Sequence, residues 1–304
     1  MGTTVVKLSK EQLKKAKQYY KSYISSRKIP YATFFAKKDG ITITAYNSGK
    51  VMFQGDNEKQ EALLWANEST ENTKQTTTLP ADFAQKSIIG SDEVGNGSYF
   101  GPLVVCAAYA DKIHLDALKK LGIKDSKMLN DTQILKLAPK IKALIPLQKL
   151  IVMPKKYNQI QPQYNAVHMK VALHNQCIHL LLEKMSPQKP EAILIDQFAQ
   201  ETTYRKYLKN EKNPVTQNLY FITKGEQYHL AVAAASIICR AEFLTALKQQ
   251  SQEVGIELPS GAGSQSDKQA AKIIKKGGIE LLTNYAKLHF KNTEKAQKIV
   301  QTQN

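Results

Sequence analysis

Two carboxylates stand side by side at Asp92 and Glu93, behind the apolar pair Ile88 and Ile89 and ahead of Gly95, Gly97, Gly101 and Pro102. An apolar run meeting acids and then glycines predicts a buried strand that empties into a loop able to approach a ligand closely. Successive strand residues face opposite sides of a sheet, so the two acids share a site only if the strand ends there, as the glycines predict. Adjacent carboxylates repel, and each favours its protonated form unless a cation lies between them. A hard divalent cation with oxygen ligands, Mg2+ or Mn2+, suits such a pair. Two more acids close similar runs: Asp196 follows AILI at 192–195, and Glu226 follows LYFI at 219–222 and the dipeptide Lys224, Gly225. An acid ending a buried strand costs free energy without a partner, and ligand sites on open α/β sheets favour strand ends.

Other chemistries find less support. His168, His174 and His179 fall on one predicted helix at spacings of six and five, not the four that puts two ligands on one face, so they are expected to be packing or surface residues. Cys106, Cys177 and Cys239 form no CxxC pair and no Cys/His cluster. Neither zinc nor a disulfide framework is expected, and a reducing cytoplasm is. No GxSxG elbow occurs, and the Gly95-x-Gly97 pair lacks a third glycine at dinucleotide-binding spacing.

The elements that must position the acids are legible. After the opening strand, residues 103–109 and 150–153 read as strands, as do 192–195 and 219–222. Helices are predicted over 131–145, 167–185 and the Ala-rich stretch 230–248. Two strands come first and the rest alternates β with α, which predicts an α/β domain over 86–304, a mixed sheet flanked by helices. Residues 68–85, polar and Thr-rich, predict a linker. Residues 1–67 predict a small α+β domain. Its first helix is capped by Ser9; strands follow at 31–36, 41–46 and 50–54, the last after an Asn-Ser-Gly turn; a second helix at 57–67 carries Leu63, Leu64 and Trp65.

Charge indicates the partner. Forty-three basic against 26 acidic residues leave +17, which favours an acidic polymer, nucleic acid before membrane. The first 67 residues hold twelve basic and five acidic side chains and no acid cluster, so they are expected to bind a duplex by its backbone. No signal-peptide h-region and no apolar run of membrane-spanning length is evident. A monomer with no obligate protein partner is expected.

Together these blocks resemble bacterial ribonuclease HIII, a type 2 ribonuclease H. SDEVGNGSYFGPLVV is similar to that family's opening motif, KDSKML to its DSK-L element, ILIDQF to its second acidic strand and KGEQYHLAVAAASIICRAEFL to its third. YNSGKVMFQG resembles its extra N-terminal domain, which is similar to the TATA-box-binding-protein fold. The resemblance implies an RNase H-like catalytic domain whose acidic tetrad is Asp92, Glu93, Asp196 and Glu226. It implies hydrolysis of the RNA strand of RNA/DNA hybrids with two divalent ions, giving 5′-phosphate and 3′-hydroxyl ends. Asp92 would bridge the ions, with Glu93 and Asp196 completing the sites and Glu226 ligating or orienting water. Gly95, Asn96, Gly97 and Ser98 are the expected readers of the ribose 2′-hydroxyl, and Lys127 and Lys224 the expected phosphate contacts. Ribonuclease HII enzymes carry Asp where this chain has Glu226, and Arg where it has Asn96. A ribonuclease HII-like activity on single ribonucleotides embedded in DNA is the alternative.

Overall fold

A computed structural model describes residues 2–27, 29–66, 79–123 and 129–302. Lys127 and the rest of the KDSKML block except Leu129 therefore lie outside the described residues, as does most of the expected linker. Contacts divide the chain into two units, Met1–Thr76 and Thr77–Asn304.

In the first unit, strand β1 (Gly2–Lys7) precedes helix α1 (Lys10–Tyr19), strands β2 (Ala32–Lys38), β3 (Ile41–Tyr46) and β4 (Lys50–Gly55), and helix α2 (Glu58–Ala66). Ser9 caps α1 as expected, in a reciprocal capping box with Gln12. The sheet is antiparallel in the order β1-β4-β3-β2. Strand β1 was not expected; its Thr- and Val-rich alternation acquires meaning only beside β4, from Gly2 opposite Gly55 to Lys7 opposite Lys50. Val51, Phe53, Ile43 and Phe34 face a core shared with Ala16, Tyr20, Ala62 and Trp65. Leu63 and Leu64 are exposed, so α2 holds the sheet through Ala62 and Trp65 instead.

In the second unit, β5 (Ile88–Val94), β6 (Leu103–Ala110), helices α3 (Leu115–Lys120) and α4 (Asp131–Leu144) and β7 (Leu147–Val152) come first. Then follow α5 (Pro154–Ile160), α6 (Ala166–Met185), β8 (Ala192–Asp196), α7 (Glu201–Leu208) and β9 (Leu219–Ile222). The chain ends with α8 (Leu230–Val254), α9 (Ser264–Thr283) and α10 (Lys291–Thr302). The sheet order is β7-β6-β5-β8-β9, with the first three strands antiparallel and β8 and β9 parallel to β5. This is the expected mixed sheet. Pro154 opens α5 at its first turn, where the missing N–H has no intrahelical partner to lose.

Helix α8 covers one face of the sheet, packing Val232, Ala235, Ile238 and Cys239 with Ile88, Val104, Cys106 and Leu194. Helix α6 covers the other, packing Val171, Cys177, Ile178 and Leu181 with Ile89, Val105, Ile193 and Ile195. A Cβ at Gly90 would run into the α8 backbone at Ala231 and Val232, so glycine there lets helix and strand touch. Helix α8 is long and apolar enough by composition to cross a membrane, but here its apolar surface is core. Phe83, within the expected linker, is buried against Tyr220 and His229, so the second unit begins before residue 86.

Candidate active site

Strand β5 does not stop at its acids. It stays paired with β6 through Val94, Asp92 opposite Cys106 and Glu93 opposite Val105. The two carboxylates therefore emerge on opposite faces of the sheet, which corrects the expected strand end. Asp92 shares the α8 face with Ile88, and Glu93 the α6 face with Ile89.

On the α8 face, β8 runs parallel to β5 with Ile195 beside Ser91, so the next residues, Asp196 and Asp92, are neighbours across the two strands. Asp196 Oδ1 accepts from Gly225 N at 2.8 Å, which ties the strand end to the turn carrying Glu226. A Cβ at Gly225 would lie 3.3 Å from Val232 and 3.6 Å from the Asp196 Cα, so the turn sits close between β8 and α8. Asp92, Asp196 and the turn that carries Glu226 thus lie on segments that meet at β5, β8 and the approach to α8; Asp92 is 8% and Glu226 5% exposed. Burial, reinforced by the charges of Asp196 and Glu93, raises the Asp92 carboxyl to about 8, although the Ser236 hydroxyl and the Glu93 N–H (2.7 Å) favour its ionised form.

On the α6 face, Glu93 accepts from Lys170 Nζ at 2.8 Å and meets His174 Nε2 at 3.0 Å. His174 Nε2 is the donor to Glu93, because a carboxylate only accepts; its Nδ1 lies 2.7 Å from Ser91 Oγ, which also contacts the Cys106 carbonyl at 3.0 Å. Burial pushes Glu93 upward, but His174 and Lys170 outweigh it and hold the carboxyl below its ordinary value. His174, expected to be a packing or surface residue, is a fully buried partner of a site acid. Lys170 and His174 stand four apart on α6, a spacing that comparing histidines alone overlooks. His168 does match expectation, stacked between Tyr164 and Tyr207. Lys170→Met should lower stability by about 3 kcal/mol at pH 7, because it strands a buried carboxylate. Glu93 stabilises the fold above its ordinary 4.5 and loses that contribution as pH falls through its lowered native value. The wild-type advantage in urea unfolding should therefore narrow below pH 4.5; an equal gap at both pH values would make Lys170 a packing residue.

The glycine loop is divided in its duties. Asn96 and Gly97 form its exposed tip, and a Cβ at Gly97 would meet nothing within 4 Å. Gly95, at φ +103°, is glycine because a Cβ would strike the Pro102 carbonyl, so its close approach is to its own chain. Ser98 is buried and committed inward: its N–H donates to Gly95 O, and its Oγ donates to Phe100 O at 2.8 Å and accepts from Gly261 N at 3.0 Å. Of the four expected readers, Asn96 and Gly97 face solvent. Lys224 is exposed in a left-handed turn two residues before Glu226.

The all-carboxylate donor set suits a hard divalent cation, and a cation would offset both the burial and the neighbouring charges of Asp196 and Glu93 that raise Asp92. Among the described residues no three Asp, Glu, His or Cys side chains are grouped so that they could hold a metal ion as they stand. Glu93, turned to Lys170 and His174, is the acid standing apart from the other three. The three cysteines are buried and free, and Cys239 Sγ donates to the Asp92 carbonyl at 3.2 Å.

Comparison with known proteins gives concordant matches. A family model described as Ribonuclease HII matches residues 89–293, and one described as a domain of unknown function (DUF3378) matches 3–78. A ribonuclease HIII of Enterococcus faecalis is 61% identical over 300 residues, covering 97% of this chain and 98% of the relative. One from Listeria monocytogenes is 47% identical over 306 residues, 99% of both chains. The crystal structure of Bst-RNase HIII in complex with Mn2+ superposes with a TM-score of 0.72 at 39% identity, covering 99% of this chain and 100% of that one.

Proposed function

This chain belongs to the ribonuclease HIII family, and from that premise we propose that it hydrolyses the RNA strand of RNA/DNA hybrids through Asp92, Glu93, Asp196 and Glu226. The observation that supports the assignment is the placing of buried Asp92 beside Asp196 across β5 and β8, where burial and the charges of Asp196 and Glu93 raise its carboxyl to about 8. A protein that only bound nucleic acid would gain nothing from acids aimed at phosphates, and the charge is misplaced unless a cation compensates it.

Asp92, Asp196 and Glu93 are the proposed ligands of two divalent ions, Mg2+ or Mn2+, with Glu226 as a further ligand or a water-positioning group. Such ions, when bound, lower the pKa of an attacking water and stabilise the leaving 3′-oxygen. Asp92 must surrender its proton to ligate, and Ser236 and the Glu93 N–H support the carboxylate that results. Glu93 would have to divide its carboxylate between its α6 partners, Lys170 and His174, and the ions. The exposed Asn96–Gly97 tip is the proposed reader of the 2′-hydroxyl, the group that distinguishes RNA at a given position. Lys224 and Lys127 are the proposed phosphate contacts. The products carry 5′-phosphate and 3′-hydroxyl ends, and the three free thiols suit action in the cytoplasm.

Incubation with an end-labelled long hybrid and with a DNA duplex bearing one ribonucleotide tests the reading. Cleavage at many positions in the hybrid, with the single-ribonucleotide duplex cut at least about tenfold more slowly, is expected, since Asn96 cannot make the bidentate contacts of Arg. The reverse preference would establish the ribonuclease HII-like alternative.

A further inference from the structure

Lys287, between α9 and α10, is wholly enclosed, one of the largest side chains in the protein with no exposure. Its Nζ donates to two main-chain carbonyls, Ser98 O at 2.8 Å and Gly101 O at 2.6 Å, and lies 5.8 Å from the Tyr157 ring centroid. The backbone around it grips the same segment: Lys287 N donates to Tyr99 O at 2.9 Å, Gly101 N donates to Tyr285 O at 3.2 Å, and Phe100 bridges Ala286. Gly261 holds it as well: Tyr99 N donates to Gly261 O and Gly261 N to Ser98 Oγ.

A packing position would be filled more cheaply by Leu or Met, because an ammonium loses its hydration when buried. Burial drives the Lys287 pKa down to about 7, which shows that the surroundings resist the charge. The hydrogen bonds of that ammonium go to carbonyls, not to a carboxylate. The side chain therefore serves the segment it ties, the root of the loop whose exposed tip is Asn96 and Gly97. Gly101, at φ +79°, turns one of those carbonyls, and a Cβ there would press on Phe243 and Leu247.

We propose that Lys287 is a positioning residue for ribose recognition, clamping the Ser98 and Gly101 carbonyls so that the Asn96–Gly97 tip is held at a fixed height against the 2′-hydroxyl of the cleaved strand. The proposal rests on the assignment of that loop as the substrate reader. Lys287 touches neither substrate nor the acids in this scheme; it acts through the loop. A tip displaced by a fraction of an ångström would still meet a hybrid, but would distinguish ribose from deoxyribose less sharply.

The test compares wild type with Lys287→Met, which keeps the volume and removes the donors, and Lys287→Gln, which restores a neutral donor. For each, kcat and KM are measured on an unbroken RNA/DNA hybrid and on one whose RNA strand carries isolated 2′-deoxy nucleotides, alongside the thermal midpoint. Lys287→Met is expected to fold with an unchanged or raised midpoint. It should lose roughly 10- to 100-fold in kcat/KM on the unbroken hybrid and compress the ribose-to-deoxyribose ratio, with Lys287→Gln between it and wild type. A Met variant that keeps the wild-type ratio overturns the proposal. So does failure of both variants to fold, since the ammonium would then be a requirement of the fold. A wild-type enzyme indifferent to the 2′-deoxy substitutions would instead overturn the loop assignment, a distinguishable failure.

Discussion

Asp92→Asn is expected to lower hybrid cleavage by about 10^3-fold or more while leaving hybrid binding within a few-fold, and to stabilise the metal-free protein. Both effects come from one carboxylate. Asn keeps the shape and can still accept from the Glu93 N–H, but it brings no charge to a cation. In the native protein the Asp92 carboxyl is raised to about 8 from 3.8, so between those values the unfolded chain ionises and the native one keeps its proton. The native state then binds more protons than the unfolded state, and stability falls as pH rises through that window. Asn does not titrate, so the advantage of the variant should grow from pH 5 to pH 8 and then level off, measured as thermal midpoints in chelator. Residual divalent-dependent cleavage above about a hundredth of the wild-type rate would remove Asp92 from the centre of the site. A pH-independent gain in midpoint would mean that its burial, not its ionisation, is what Asn relieves.

Removing residues 1–67 should weaken hybrid binding by roughly 10- to 100-fold while changing kcat by less than about threefold. Residues 1–67 have a core of their own and contribute +7 of the +17 formal charge, twelve basic less five acidic residues. Lys7 and Lys50 are directly opposed across β1 and β4, and both are exposed. Like charges facing each other on a sheet are destabilising unless an anion answers them, and a duplex phosphate is the anion this protein meets. Deletion should therefore also flatten the dependence of log K on log salt, by about 0.9 for each phosphate that the shortened chain leaves unneutralised. Equal salt slopes for the full and shortened chains, or a defect in turnover alone, would assign the unit a different duty. The catalytic unit keeps its own two-faced core, with Phe83 as its first buried side chain among the described residues, so the shortened chain retains what it needs to fold.

The strands of the second unit were legible because their runs are short, apolar and bounded by Gly, Pro or acids. Helix α8 was legible because small residues recur along it. Helices α3 and α7 were not; the few apolar residues that hold them, Leu115, Leu118, Tyr204 and Leu208, are scattered among charged ones. Strand β1 was hidden for a related reason, since an edge strand is defined by the partner that completes its ladder. The boundary of the linker moved because one aromatic, Phe83, found a pocket between Tyr220 and His229.

What the amino-acid order determined by itself was where Asp92, Glu93, Asp196 and Glu226 stand, at or just past the ends of apolar runs. Strand chemistry and charge are local, and they are written residue by residue. What only the tertiary structure decided was which acids share a face and which groups answer them. The pairing of β5 continues through Val94, so alternation sends Asp92 toward Ser236 and Glu93 toward Lys170 and His174. Those partners lie 77 or more positions away along the chain, and Lys287 lies 186 or more from the carbonyls it ties. Contacts at such separations depend on how strands order themselves in a sheet and on how helices cross it, and no local pattern carries that information.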